Sequence, residues 1–170
     1  EGSRDRLIVA LLYATGMRRA ELIGLQTFQV DMGVLQIKVL GKRNKERVIP
    51  LIPSLVPLIN AYLSQRMSLP KRIDDTHFFL LPSGKKLYET LVYRVINHYF
   101  GLVSTKVKKS PHMLRHTFAT HLLNRGADMQ SVKELLGHAS LASTQVYTHN
   151  NMAALKKAYG NSHPRNKPKV

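Results

Sequence analysis

The 170-residue chain contains no cysteine. Disulfides, thiolate nucleophiles and cysteine-type zinc sites are therefore excluded, and the composition fits a reducing compartment such as the cytoplasm. Acidic residues are scarce. Ten Asp and Glu stand against 26 Lys and Arg, giving a net charge of +16 and a pI near 10.4. That surplus points to an acidic polymer as partner; the alternative is that the basic residues form only a solvated face. No run of about 18 apolar residues occurs, so no membrane-spanning helix is expected. No secretory signal is visible. The chain opens abruptly on Glu1-Gly2-Ser3 and runs straight into a helical pattern, and is read as a piece of a longer protein.

What is present is ordinary for one globular domain: 44% hydrophobic and 21% charged residues. A chain of this length is expected to bury roughly 70% of its unfolded surface. The spacing predicts a largely buried helix over 4–14, capped by Ser3 and ended by Gly16, then a short helix over 18–24. Residues 34–40 alternate as a strand, 41–45 form a charged turn, and 46–51 pair back. A helix over 54–67 follows, then a short apolar strand over 77–81 as the third of one sheet, then a helix over 87–100. A basic loop carrying Lys106, Lys108 and Lys109 leads into helices over 111–125 and 129–136, the second capped by Asp128. A helix starting near Ser140 would carry Tyr147, one over 150–159 would end the fold, and 160–170 reads as a disordered basic tail. The expected class is α+β, mainly helical, with a small three-stranded antiparallel sheet and no internal repeat.

Residues 110–147 concentrate the chemistry. Ser110 suits an N-cap and Pro111 the first helical position. His112 then lies in the first turn, beside unpaired backbone N–H groups and the positive end of the helix dipole, where a phosphate is favoured. Arg115, three residues on, projects from a neighbouring part of the same helix. Gly137 ends a helix, His138 follows it, and Tyr147 comes nine residues later. His112 and His116 are four apart, a spacing that can hold zinc, but no carboxylate sits in that helix, so no metal is expected. His116 reads as a buried histidine bracing the site, with Leu114, Phe118 and Leu122 on the core face.

These motifs resemble the tyrosine recombinases, the family of the phage integrases, and most of all its bacterial Xer group. His112-Met-Leu-Arg115, Gly137-His138 and Tyr147 occur in the family's order, and Thr15-Gly16-Met17-Arg18-Arg19-Ala20-Glu21-Leu22 resembles its first arginine motif. The resemblance covers about residues 4–165. It implies that Arg18, Arg115 and His138 hold the oxygens of a DNA phosphodiester, that Glu21 supports the site, that His112 with the two arginines supplies the base and cationic field for the nucleophile, and that Lys42, on a β-hairpin turn, acts as general acid. Tyr147 would be the nucleophile. A phenol has a pKa near ~10, so only about one in a thousand is ionised at pH 7, a deficit of roughly 4 kcal/mol that a base and a cationic field must offset. Attack would give a 3′-phosphotyrosyl link and a free 5′-hydroxyl, with neither metal nor nucleotide as cofactor.

The resemblance further implies a catalytic domain over 1–159, whose helix over 151–159 docks on a neighbouring copy or a related recombinase in a tetrameric synapse. Docking on its own domain is the alternative. A second, N-terminal helical domain that closes around DNA would be absent from this chain. Arg19, Arg43, Lys45, Arg47, Lys106, Lys108 and Lys109 are expected to contact double-stranded DNA. Other readings stay open here. Arg18 could simply pair with Glu21 on the surface, His138 could only complement a helix dipole, and Tyr147 could be a core tyrosine. A type IB topoisomerase shares the chemistry, and residues 128–137 with a following helix could pass for a non-catalytic helix-turn-helix.

Overall fold

The computed structural model describes residues 2–41, 46–101 and 110–137. Its centre is helix α1 (Gly2–Thr15), which buries Leu7, Ile8, Leu11, Leu12 and Ala14. A helix apolar on nearly every side must be enclosed, and α1 packs against α3 (Val56–Met67), α4 (Glu89–Gly101) and α5 (Pro111–Asn124). Because α1 already begins at Gly2, Ser3 lies within its first turn and not at the cap that the sequence suggested. At the other end Gly16 takes φ +61°, the left-handed conformation that stops a helix. A Cβ at Gly16 would sit 2.4 Å from Phe118 Cδ1 and 2.9 Å from Leu136 Cδ2. The glycine thus serves both the turn and the close approach of α5 and α6 (Met129–Leu136).

The short α2 (Arg19–Gly24) leads through a 3-10 turn, Thr27–Gln29, into the sheet. Strands β1 (Val30–Asp31), β2 (Gln36–Leu40) and β3 (Glu46–Pro50) pair antiparallel in that order. The β2–β3 register runs from Gln36 opposite Pro50 to Leu40 opposite Glu46. Period two turns Ile37, Val39 and Ile49 inward, and it turns Arg47 inward with them.

The third strand is therefore β1 and not 77–81. That stretch makes only isolated bridges, Gln26 with His77 and Leu80 with Lys86. Its backbone is satisfied elsewhere. The Phe78 N–H donates to the Leu25 carbonyl at 2.8 Å, and the Tyr62 hydroxyl donates to the Phe78 carbonyl at 3.0 Å while accepting from the Leu80 N–H at 2.8 Å. Phe78, Phe79 and Leu80 are buried by this tethering.

The last described helices begin and end as their sequences dictate. Ser110 Oγ accepts from the Met113 N–H at 3.2 Å, Pro111 stands first in α5, and Leu114, Phe118 and Leu122 face the core. Asp128 accepts from the Ser131 N–H at 2.9 Å, and Gly137, at φ +66°, closes α6.

Candidate active site

Arg18 bridges α1 and α2 in extended conformation, φ −75° and ψ 151°. Its backbone N–H donates to Glu21 Oε2 at 2.6 Å and its Nη1 to Glu21 Oε1 at 2.9 Å. A glutamate three positions into a helix can reach back in this way. Arg47 approaches the same carboxylate from β3. Its Nη1 donates to Oε1 at 2.7 Å and its Nη2 to Oε2 at 2.8 Å, the two-pronged geometry that only a guanidinium provides. The pair is enclosed, with the Arg47 and Glu21 side chains 5% and 6% exposed against 29% for Arg18.

A second set of contacts gathers three guanidiniums at one helix end. Arg47 Nε donates to the Leu135 carbonyl at 2.8 Å, Arg115 Nη2 to the Leu136 carbonyl at 2.5 Å, and Arg18 Nη2 to the Gly137 carbonyl at a long 3.5 Å. Arg115 Nη1 also donates to the Gly16 carbonyl at 2.5 Å. The last carbonyls of a helix lack intrahelical partners and carry the negative pole of its dipole. Three consecutive carbonyls at the end of α6 therefore each hold a different arginine, from β3, α5 and the α1–α2 junction. Adjacent Cα atoms are only about 3.8 Å apart, so these cationic heads share one small region.

Among the described residues, three guanidiniums share this region with one carboxylate, Glu21, a local excess of positive charge. Burial alone would raise the Glu21 carboxyl, but the hydrogen bonds and charge of Arg47, with the amide and guanidinium of Arg18, outweigh it and hold the group below its ordinary range. Arg115 responds in the opposite sense. Burial first, then the charges of Arg18 and Arg47, bring its pKa down to about 10, so it remains charged at neutral pH. Tetrahedral oxyanions have the charge and the geometry that guanidiniums pair with. His112 lies exposed in the first turn of α5, one turn before Arg115. Among the described residues, no group of three or more His, Cys, Asp or Glu side chains is placed to hold a metal ion.

The chain matches the sequence profile described as the phage integrase family over residues 1–154. It belongs to that family. Among similar phage integrase family members, tyrosine recombinase XerC of Chlorobaculum parvum (strain DSM 263 / NCIMB 8327) is 41% identical over 169 residues, 96% of this chain and 50% of that one. Tyrosine recombinase XerD of Staphylococcus saprophyticus subsp. saprophyticus is 40% identical over 167 residues, 96% of this chain and 56% of that one. The chain thus spans about half the length of the curated relatives it matches. The crystal structure of XerA recombinase superposes with a TM-score of 0.71 at 32% identity, over 97% of this chain and 64% of that one. XerH site-specific recombinase bound to its difH substrate, in a pre-cleavage complex, gives 0.73 at 29%, over 92% and 46%. The mainly helical fold with its three-stranded sheet is that of recombinase catalytic domains in this family.

Of the integrase-family positions singled out from sequence, the described residues bring Arg18, Glu21 and Arg115 together and place His112 one turn before Arg115 on α5. Lys42, Arg43, Lys45, Lys106, Lys108, Lys109, His138 and Tyr147 lie outside the described residues, as does the stretch 151–170. Arg19 is on the surface, its Nη2 donating to Glu89 at 2.6 Å. Two expectations are corrected. His116 is exposed, not buried, because four residues along a helix return it to the side of His112 and away from Leu114, Phe118 and Leu122. Arg47, expected on the DNA backbone, is buried and engaged by Glu21 and Leu135. Arg47 stands two residues before the apolar Ile49 in a strand, so both share the inner face.

The depressed Glu21 pKa fixes a pH dependence. A carboxyl bound more tightly as its anion in the folded state contributes stability above its unfolded pKa, and loses it as pH falls through the folded value. Thermal unfolding of the protein and of Glu21→Gln, followed from pH 7 to about pH 3 across the carboxylate range, should show the wild-type advantage shrinking steadily with acid. A difference that does not change with pH would contradict the assignment.

Proposed function

We propose that this protein is the catalytic domain of a site-specific DNA recombinase that cuts and rejoins double-stranded DNA through a tyrosyl intermediate. The observation that carries this reading is the convergence of Arg18 and Arg115 on the end of α6, ten residues before Tyr147, in a site where cationic side chains outnumber carboxylates among the described residues. Arg18, Arg115 and His138 would hold the non-bridging oxygens of one phosphodiester as negative charge builds on them. His112 would assist removal of the phenolic proton, Tyr147 would attack phosphorus, and Lys42 would protonate the departing 5′-oxygen. The phosphoester is exchanged and not hydrolysed, so its energy is retained. A 5′-hydroxyl from another strand can then reverse the step, which is what strand exchange requires. Residues 151–159, with Met152, Leu155 and Tyr159 spaced for one helix face, would join copies or a related recombinase in the synapse. The cysteine-free composition supports a cytoplasmic setting.

The test uses a pool of nicked duplexes with randomised centres, built so that the cleaved fragment diffuses away. Covalent protein–DNA adduct is expected on a subset, and sequencing the trapped DNA names the target site. Tyr147→Phe should abolish the adduct and leave DNA binding intact. Binding with no adduct from any duplex would favour a non-catalytic DNA-binding protein.

A further inference from the structure

We propose that Arg47 is a positioning residue for strand cleavage, acting without touching DNA; this rests on the recombinase reading above. Arg47 connects the three parts of the site. Its fork on both Glu21 oxygens fixes the carboxylate, which in turn holds the backbone and the guanidinium of Arg18. Its Nε holds the Leu135 carbonyl. Its side chain also lies against Gly137, where an added Cβ would be 3.1 Å from Arg47 Cδ and 3.1 Å from Nη1. Gly137 needs its glycine for the left-handed turn that sets the direction of the chain toward His138.

Arg47 itself hangs from β3, opposite Val39, in the β2–β3 hairpin. A shift of that hairpin is thereby transmitted to Arg18 and to the end of α6. The linkage depends on shape as much as on charge. Lysine at position 47 would keep the positive charge yet could not serve both Glu21 oxygens and the Leu135 carbonyl in fixed directions.

Arg47→Lys is the primary variant, because removing one partner of a buried ion pair is strongly destabilising. Adduct formation is measured in a single turnover at saturating DNA, on the duplex selected from the pool. The rate constant should fall about 10²-fold, the scale expected when a reacting group is slightly misplaced. The dissociation constant and the slope of log affinity against log salt should stay at wild-type values. In an Arg18→Ala background the same substitution should have little further effect, since its route runs through Arg18. Should Arg47→Lys fail to fold, Glu21→Asp, which keeps the buried negative charge but shortens its reach to Arg18 and Arg47, should reproduce the fall in rate with unchanged affinity. A salt slope reduced by about one would make Arg47 a phosphate contact and overturn the proposal. Equal losses in the wild-type and Arg18→Ala backgrounds would overturn it too, reducing Arg47 to a structural residue. No adduct with wild-type protein on any duplex would instead remove the recombinase reading, and the proposal with it.

Discussion

Arg115→Ala should lower the single-turnover rate of DNA adduct formation by about 10³-fold, the upper range for losing one preorganised donor to a developing oxyanion. Arg115 is held by two backbone carbonyls, Gly16 just past the end of α1 and Leu136 on α6, so its head is fixed before any ligand arrives. Burial and two like charges already work against its ionisation, and a bound phosphate would relieve them. A preorganised cation of this kind helps most where charge increases, at the phosphorane-like transition state. Arg115→Lys should recover little, because an ammonium cannot span two carbonyls and still present a planar edge to a phosphate. Both variants should retain most DNA affinity, which many basic residues share. Rapid-quench kinetics with a nicked substrate checks this, and a rate within a few-fold of wild type would count against the role.

Gly16→Ala should be strongly destabilising for a change of a single methyl group. The residue sits at φ +61°, where an L side chain costs about 1–2 kcal/mol. The new methyl would also overlap Phe118 at 2.4 Å, and overpacking a well-filled core adds about 1–3 kcal/mol. The sum, about 3 kcal/mol, corresponds to a fall in Tm of about 10 °C for a domain of this size. Gly24→Ala is the control. It lies in α2 with nothing within 4 Å of an added Cβ, so alanine should be neutral or slightly stabilising. Calorimetry on both variants decides. Because the Gly16 carbonyl also holds Arg115, the destabilised variant should lose cleavage activity at temperatures where it remains folded.

Much of this architecture was legible because the local signals were strong. The α5 start follows from Ser110-Pro111, the α6 end from Gly137, and the burial of Leu114, Phe118 and Leu122 from helical spacing. Harder to read were segments whose partners are distant in sequence. Residues 77–81 look like a strand, but their hydrogen bonds run to Leu25 and the Tyr62 hydroxyl, which no local pattern announces. Charged residues in inward-facing registers were harder still. Arg47, two before Ile49, and Arg66, four after Tyr62, both occupy core-facing positions, where the habit of assigning arginine to solvent misleads. Arg66 donates to the Asp75 and His77 carbonyls and so ties down the loop that carries Phe78 and Phe79. The separated motifs around Arg18 and Arg115 were readable as family signatures, whereas the way Arg47 joins them through Glu21 emerges only from the tertiary arrangement.

Mass spectrometry of the purified protein–DNA adduct, after protease and nuclease digestion, tests the mechanism most directly. The account predicts a single modified peptide, carrying a nucleotide through its 3′-phosphate on Tyr147, with a free 5′-hydroxyl on the other side of the break. A nucleotide on any other residue, or one attached through a 5′-phosphate, would contradict it.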